Sequence, residues 1–349
     1  MTAAQLHEHL LAFTEEEQFY KQYHAARQSA DTLAAFIASV DPAEISKKRF
    51  VLPELKERLD LHFVSEEWFW DGKEQDIAIH KHPRFMPEWD FVHEFYEIMY
   101  AYQVEFSLFI GADEIRMKQG HVCIIPPGIA HRISIFDDSI CFNIKVRKST
   151  FASSFAPLLS SNDLLSNFFL NTLYIGDYKD YILFKSDEDE RVLNLMRSIY
   201  MESLTHLKYH KRIMNGLLSL VFLQLMRAYE ETIETSAVKQ ENHRKITAVL
   251  SYINANFRTV TLKQLAQEFY FSEQYMSKYI KENTGMTMQE LVRAIRIRHA
   301  KQLLKTSDLN IGQISESCGY ASPEHFVRTF KKEVGLPPRA YREQLNRLK

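Results

Sequence analysis

Three side chains in the first half of the chain combine the residue types and the spacing of a compact polar site. His93 and Glu97 are four positions apart, and His131 follows the turn-forming run Pro126-Pro127-Gly128. Imidazole and carboxylate groups that converge from neighbouring strands can bind a metal ion, and a few such groups in an apolar cavity can orient a small ligand. Phe91, two residues before His93, favours the apolar cavity. These four side chains are therefore the predicted ligand site.

A second set of useful side chains comes from a repeat near the C-terminus. Residues 262–285 and 311–335 share one pattern at an offset of 49 or 50 residues, and a repeat of this period is usually one supersecondary unit used twice. Each copy predicts a short helix, a tight turn and a second helix that begins after Ser272 or Ser322. Serine is a good N-cap residue. This is the layout of a helix-turn-helix.

The second helix of each copy has an apolar face and an opposite polar face. Met276 and Ile280 in the first copy, and Phe326 and Phe330 in the second, have the spacing of a buried stripe. The opposite face carries side chains that can reach base edges and phosphates of double-stranded DNA. These side chains are Gln274, Ser277, Lys278 and Lys281 in the first copy, and Glu324, Arg328 and Lys331 in the second.

The segment between the two copies predicts one rigid spacer helix. Residues 288–305 contain neither Pro nor Gly and place apolar side chains at helical spacing. At 1.5 Å per residue this helix is about 27 Å long. It could hold two recognition helices about one DNA turn apart, at about 34 Å. We therefore expect the two helices to enter successive major grooves on one face of the duplex.

The second copy and the residues after it resemble the DNA-binding domain of AraC/XylS-family transcription regulators. The resemblance covers roughly the last hundred residues and implies two helix-turn-helix units on adjacent major grooves, often with bending of the DNA. It also implies activation, often of carbohydrate metabolism, with RNA polymerase as a partner. Val327 departs from the family, which commonly has a small polar residue there. The residues that carry the resemblance are Cys318-Gly319-Tyr320, Phe326, Arg328, Phe330-Lys331-Lys332, Gly335, Pro338 and Tyr341-Arg342.

The region around the predicted ligand site is rich in short β-type runs separated by Pro and Gly. This pattern is typical of a β-barrel or jelly roll, with strands expected at 76–80, 97–110, 121–125 and 140–146. We expect three histidines to lie on strand surfaces or near the barrel mouth: His80, His82 and His121. A cluster of aromatic residues either lines a sugar-stacking pocket or belongs to the core: Trp68-Phe69-Trp70, Phe85 and Trp89.

The same region resembles the cupins, more loosely than the C-terminal region resembles its family. Gly120-x5-Pro126 through His131 is similar to the second cupin motif, and His93-x3-Glu97 to most of the first. The resemblance implies two His and one Glu from the first motif, and one His from the second, as metal ligands. Phe91 stands where the other histidine is expected. We therefore predict an effector pocket of Phe91, His93, Glu97 and His131 that uses no metal and no other cofactor.

Composition separates an acidic body from a basic C-terminal module. From Arg244 onward there are 18 basic and 9 acidic side chains, against 25 basic and 36 acidic before it. A basic module of this kind fits a polyanion bound by one end of the molecule. The three cysteines are far apart and without a CxxC motif, which indicates buried thiols in a reducing cytoplasm. Signal-peptide and membrane-span patterns are not found, so we expect no membrane association.

The predicted fold class is multidomain α+β, with a cupin-like β-barrel, then helices, then an all-α tandem helix-turn-helix domain. The expected segments are a helical extension at 1–49, the barrel at 50–151, helices available for homodimerisation at 152–230, a linker at 231–243 and the DNA-binding domain at 244–349. The function predicted is a non-enzymatic transcription regulator whose barrel senses a small molecule, with a sugar as one candidate. The alternatives are a metal-dependent cupin enzyme, isomerase or dioxygenase, fused to a DNA-binding domain, and a DNA-binding protein whose barrel only dimerises.

Overall fold

The computed structural model describes residues 2–58, 63–70, 75–151, 180–205, 207–229, 232–234 and 240–347, with the single positions 168 and 172. The chain divides into two compact units, Met1–Phe151 with Lys179–Ala237 and Ala152–Tyr178 with Val238–Lys349. Most of residues 152–179, and residues 231 and 235–239 of the predicted linker, lie outside the described residues. Within that linker, Glu234 forms a β-bridge with Leu183, and a helix begins at Gln240.

Four short helices open the N-terminal unit. Thr2 and Thr14 are N-caps that form capping boxes, in which the N-cap and the third helical residue satisfy each other's backbone N–H groups. Leu6, Leu10 and Tyr20 are fully buried, so this helical extension packs against the rest of its own unit. The helices are α1 (Ala3–Leu11), α2 (Glu15–Ala26), α3 (Ala30–Ser39) and α4 (Pro42–Lys48).

In the part of this unit that the structure describes, ten strands in two antiparallel sheets and one short parallel pair form the centre. The five-stranded sheet has the order β10-β7-β4-β9-β2, the three-stranded sheet β6-β5-β8, and β1 pairs with β3. The strands are β1 (Phe63–Val64), β2 (Ile77–Lys81), β3 (Val92–His93), β4 (Tyr96–Gln103), β5 (Phe106–Ile110), β6 (Asp113–Met117), β7 (Val122–Ile125), β8 (His131–Ser134), β9 (Ile140–Val146) and β10 (Ile182–Phe184). Two short helices, α5 (Glu66–Trp70) and α6 (Lys148–Thr150), lie among them.

A core of side chains from both antiparallel sheets fills the space between them. Met99 and Ile125 of the larger sheet and Leu108 and Ile133 of the smaller sheet belong to one buried cluster. Almost every residue of β4 is buried, because this strand is in the middle of its sheet and is covered on both faces. The helices α7 (Glu190–Thr205) and α8 (His210–Tyr229) follow β10 and pack against each other.

The C-terminal unit is entirely helical in its described residues and has two cores. One core joins Leu265, Met276 and Ile280 to Leu291, and the other joins Ile314, Phe326 and Phe330 to Leu304. The long helix α12 contributes to both cores. The helices are α9 (Gln240–Ala255), α10 (Leu262–Glu268), α11 (Glu273–Thr284), α12 (Met288–Thr306), α13 (Ile311–Ser317), α14 (Pro323–Val334) and α15 (Pro338–Arg347).

The predicted fold class is confirmed, with a β-rich unit that includes helices and an all-α tandem helix-turn-helix domain. The serine caps are also as predicted, because Ser272 accepts a hydrogen bond from the backbone of Tyr275 and Ser322 from that of His325. All three cysteines are free and buried. Of the helices that the structure describes, none combines the length and hydropathy of a membrane span.

Candidate DNA interface and effector cavity

The recognition helix of the first copy, α11, divides into a buried and an exposed face. Met276 and Ile280 have no exposed surface. The four predicted base- and phosphate-facing residues are all exposed, and they share one side of the helix. Lys278 makes only a surface contact with Glu282, at 3.6 Å between Nζ and Oε1. The exposed side chains are Gln274, Ser277, Lys278 and Lys281.

The recognition helix of the second copy, α14, is built in the same way. Phe326 and Phe330 are fully buried, whereas Glu324, Arg328 and Lys331 are exposed. Among the described residues, Arg328 and Lys331 take part in no ion pair. Val327 packs against the second core, which gives a structural reason for an apolar residue at that position.

An open groove of about 710 Å³ lies between the two copies. Ser277 of α11 and His325 and Thr329 of α14 lie along it, so both recognition helices border the same concavity. The arginines of the spacer helix α12 are engaged with the protein. Arg296 donates to the carbonyl groups of Phe257 and Arg258 at 3.0 and 2.7 Å. The basic spacer helix therefore stabilises the domain through these hydrogen bonds and also supplies positive charge.

The N-terminal unit contains a cavity of about 320 Å³ with one aromatic and one polar wall. Alternate residues of a strand point to the same face, and the register pairs Glu97 with Lys145 and His80 with Asn143 across neighbouring strands. The middle of the larger sheet thus presents a polar surface. The aromatic wall consists of Tyr20, Trp68, Phe69, Trp89 and Phe91, and the polar wall of His80, His82, Glu97, Asn143 and Lys145.

His93, Glu97 and His131 converge as the sequence predicts. The Nε2 atoms of both imidazoles lie 2.9 Å from Oε2 of Glu97, and all three residues are buried. Burial alone would raise the pKa of Glu97, but His93 and the hydrogen bonds from both imidazoles hold it well below its usual range. Burial lowers the pKa of His93 to about 4. Phe91 is held beside His131 by two backbone hydrogen bonds, of 2.9 and 3.0 Å.

The same three residues could hold a metal ion. Their ligand atoms lie within 4.8 Å of one another, and two imidazole nitrogens with one carboxylate form a donor set that suits several first-row transition metals. His131 also has Nδ1 at 3.2 Å from the carbonyl oxygen of Ile129. Both of its ring nitrogens therefore face acceptors.

The N-terminal helices close one side of the cavity. Glu16 and Tyr20 of α2 line it, together with Lys48 and Arg49 at the end of α4. Burial raises the pKa of Glu16 to about 7, and the neighbouring charge of Glu17 adds to this rise. The sequence did not single out these residues as parts of a site, because the extension carries no catalytic or binding pattern.

A buried ion cluster attaches these helices to the sheet. Arg84 Nε and Lys81 Nζ donate to the carboxylate of Glu17 at 2.8 and 2.7 Å, and both side chains also donate to the carbonyl oxygen of Ala12. The guanidinium carbon of Arg84 lies 3.8 Å from the ring centroid of Phe13. Burial alone would raise the pKa of Glu17, but Arg84 and Lys81 hold it below its usual range.

The other predicted residues around the site separate into two groups. Trp68, Phe69 and Trp89 line the cavity, whereas Trp70 is buried in a core cluster with Phe95. Phe85 lies outside the cavity, stacked on Phe13. The expectation of surface or mouth positions is wrong for His121, which is buried and contacts Asp187 at 3.2 Å. His82 is buried beside Asn143 and, like His80, lines the cavity.

Comparisons with known proteins support the reading of the C-terminal unit. A family model described as a helix-turn-helix domain matches residues 265–344. The uncharacterized HTH-type transcriptional regulator YobQ of Bacillus subtilis (strain 168) is 30% identical over 109 residues, which are 31% of this chain and 45% of YobQ. The HTH-type transcriptional activator RhaR of Enterobacter sp. (strain 638) is 29% identical over 136 residues, which are 37% of this chain and 47% of RhaR. The chain thus spans less than half the length of these two regulators.

Among solved structures, ToxT from Vibrio cholerae O395 is similar at 15% identity and a TM-score of 0.31, covering 77% of this chain and 97% of ToxT. The fold and the exposed helix faces define the C-terminal unit as a tandem helix-turn-helix DNA-binding domain. This domain is of the AraC type, and its curated relatives are transcription regulators. The resemblance found in the sequence is confirmed for this part of the chain.

Proposed function

We propose that the protein is a sequence-specific transcription activator that is controlled by a small molecule in the cavity of its N-terminal unit. The observation that carries the proposal is the pair of recognition helices, which precede and follow one uninterrupted helix. Each recognition helix has an exposed polar face and a buried apolar face. Activation is supported by the curated relatives that are transcriptional activators. Its place of action is the cytoplasm, where it meets promoter DNA and RNA polymerase.

Direct base contacts are assigned to Gln274, Ser277, Lys278, Glu324 and Arg328. Phosphate contacts are assigned to Lys281 and Lys331. The test is binding of residues 238–349 to DNA sites found by genome-wide mapping of the full chain, followed over a range of salt concentrations. We expect affinity to fall steeply with salt, because lysine and arginine contacts to phosphates release counterions. Binding that ignores salt, or no binding to the mapped sites, would refute the proposal.

The full chain is proposed to act as a homodimer through α8. Ile213, Leu220 and Leu223 are 42%, 52% and 45% exposed, and with Gly216 they follow the three- and four-residue spacing of a helix–helix seam. Nothing lies within 4 Å of a Cβ placed on Gly216, so a second helix could approach closely. Sedimentation should give a dimer for the full chain and a monomer for Leu220→Glu. Met214→Leu, a buried change on the same helix, is the control that should remain dimeric.

A metal-dependent enzyme is the second candidate, because His93, Glu97 and His131 form a plausible ligand set. We propose that the effector binds without a metal, since Phe91 offers an apolar surface where a fourth ligand would lie. Elemental analysis of protein purified without chelator, and ligand titration with and without chelator, decide between the two. Stoichiometric metal whose removal abolishes ligand binding or an observed turnover would favour the enzyme.

A further inference from the structure

Lys145 is a cation in the cavity that has no ion-pair partner among the described residues. Its Nζ lies 4.4 Å from the ring centroid of Phe69 and 5.7 Å from that of Phe95. Among the described residues it donates no hydrogen bond to a carboxylate. Contact with aromatic faces stabilises an ammonium group by about 0.5–2 kcal/mol. Removing the same group from water costs more than this. Burial lowers the pKa of Lys145, and the nearby charges of Glu97 and Glu16 only partly oppose this fall. The charge of Lys145 is therefore only partly compensated.

The other charges around the cavity already have partners. Glu97 accepts hydrogen bonds from His93 and His131, so its charge is largely engaged before any ligand arrives. Lys48 is paired with Glu15, and the guanidinium carbon of Arg49 lies 4.2 Å from the ring centroid of Trp68. The carboxyl of Glu16, the remaining acid of the lining, has a pKa raised to about 7 by burial. At neutral pH it supplies only part of a negative charge.

The aromatic wall determines the shape of the ligand's uncharged part. Trp68, Trp89 and Phe91 offer flat apolar surfaces on which a ring can stack. A volume of about 320 Å³ lies at the lower end of the range of ligand pockets, roughly 300–1,000 Å³. It suits one ring with its substituents. His80 and Asn143, next to Lys145 on the polar wall, can form hydrogen bonds with groups around that ring.

We infer that the effector is a single-ring carboxylic acid whose carboxylate pairs with Lys145 while its ring stacks against the aromatic wall. The inference rests on the proposed function, which makes this cavity the effector site. A neutral sugar would leave Lys145 dehydrated and unpaired, whereas a carboxylate replaces the lost water with a charge-assisted hydrogen bond. A sugar acid and an aromatic acid share this chemistry, and the experiment distinguishes them.

The experiment measures ligand binding by the full chain through tryptophan fluorescence, with calorimetry as a second readout. All three tryptophans lie in the N-terminal unit, and Trp68 and Trp89 line the cavity. The acid probes are glucuronate, galacturonate, benzoate and phenylacetate. Each is paired with its neutral counterpart: glucose, galactose, benzamide and phenylacetamide. We expect at least one acid to bind about tenfold or more tightly than its counterpart, which corresponds to the strength of one hydrogen bond to a charged group.

Lys145→Met tests the residue assignment. It should remove the advantage of the acid over its neutral counterpart, mainly by weakening binding of the acid. Lys118→Met, an exposed lysine of the same unit outside the cavity, is the matched control and should keep the advantage. A preference for uronates identifies a sugar acid, and a preference for benzoate or phenylacetate identifies an aromatic acid.

Three results would overturn the inference: equal binding of acid and neutral partner, an acid preference that survives in Lys145→Met, or no binding by any of the acids. Promoter binding, measured with the same protein samples, depends on the C-terminal unit. A protein that binds its mapped DNA sites but prefers neutral ligands retains the proposed function and loses only this inference. A protein that binds the acids but no DNA loses the proposed function instead.

Discussion

In the N-terminal unit, one cluster of charged side chains is buried and hydrogen-bonded together, whereas the charged side chains on the recognition helices of the C-terminal unit point into solvent. Glu17 and Arg84 have at most 1% of their surface exposed, while Arg328 and Lys331 are exposed. A buried charge is tolerated only in a geometry that supplies its partners, so these residues restrict how the helices sit on the sheet. Exposed charges impose no such restriction and remain available to a polyanion.

The largest effect is expected when the buried cluster loses its anion. Glu17→Gln should destabilise the N-terminal unit by about 3–5 kcal/mol, because Arg84 and Lys81 then remain buried without a counter-charge. Urea unfolding followed by tryptophan fluorescence reports on this unit alone. The control is Glu15→Gln, on the same helix as Glu17. It breaks only the exposed pair of Glu15 with Lys48 of α4 and should change the stability little. Equal effects of the two variants would show that burial does not decide the role of these charges.

Acid should destabilise the N-terminal unit more than the C-terminal unit. Burial lowers the pKa of His82 and His93 to about 4, so folding favours their neutral forms. This stability is fully present above the unfolded pKa of about 6.5 and is lost as pH falls towards about 4. The expected loss is on the order of a few kcal/mol. In the C-terminal unit, burial lowers the pKa of His299 to about 4.

Glu16 acts in the opposite sense, because its raised pKa favours the protonated carboxyl in the folded state. Its contribution is present below the unfolded pKa of about 4.5 and is lost as pH rises through about 7. Glu16→Gln should therefore steepen the acid loss, and His82→Asn should reduce it. Urea midpoints measured by tryptophan fluorescence between about pH 7 and pH 4 give the comparison. A midpoint that is constant over this window would contradict the assignment.

The exposed charges of the C-terminal unit should affect DNA binding without affecting folding. Arg328→Ala is expected to cost about 1–3 kcal/mol at the mapped site and to relax the base preference in one half of it. Lys281→Ala should weaken all sequences about equally and reduce the salt dependence by about one counterion. Binding to a panel of single-base variants separates the two patterns. Parallel losses of specificity would mean that the two helix faces are wrongly assigned.

The smallest effect concerns the turns of the two copies. Tyr270, at the turn of the first copy, is 94% exposed and has φ +57°, and a non-glycine residue in this conformation costs roughly 1–2 kcal/mol. Tyr270→Gly should therefore stabilise residues 238–349 by about 1 kcal/mol in thermal unfolding. Gly319 holds the equivalent place, where a Cβ would lie 2.6 Å from Cα of Arg258. Gly319→Ala should destabilise the fragment, and a stabilising effect there would contradict the comparison.

The helix-turn-helix copies could be predicted from sequence because their signals are local. Ser272 and Ser322 cap the recognition helices, and Gly285 and Gly335 end them in the left-handed conformation. The apolar spacing between cap and glycine sets which side is buried and, by exclusion, which side is exposed. Val327 departed from the family pattern, and its packing against the second core could not be deduced from spacing alone.

The cavity could be predicted only in part because its members are distant in sequence. His93 and Glu97 belong to one short motif, but Tyr20 and Lys145 come from the two ends of the sequence that forms the cavity. Alternation along β9 places Asn143 and Lys145 on one face. Both faces of this strand are largely buried, so the sequence gives no sign of which face borders the cavity. The face of β9 that borders the cavity is determined by the long-range pairing of the strands and by α2, which lines the cavity.

The uninterrupted helix α12 has a consequence for the DNA itself. Its 19 residues span about 28 Å at 1.5 Å per residue, and one end is fixed in each helical core. A rigid helix that is anchored at both ends fixes the distance and the angle between the two recognition helices. Each base pair inserted between the two half-sites turns the second half-site by about 34° around the duplex, and five base pairs move it to about the opposite face. We therefore expect operators of this protein to share one constant spacing, even where their bases differ.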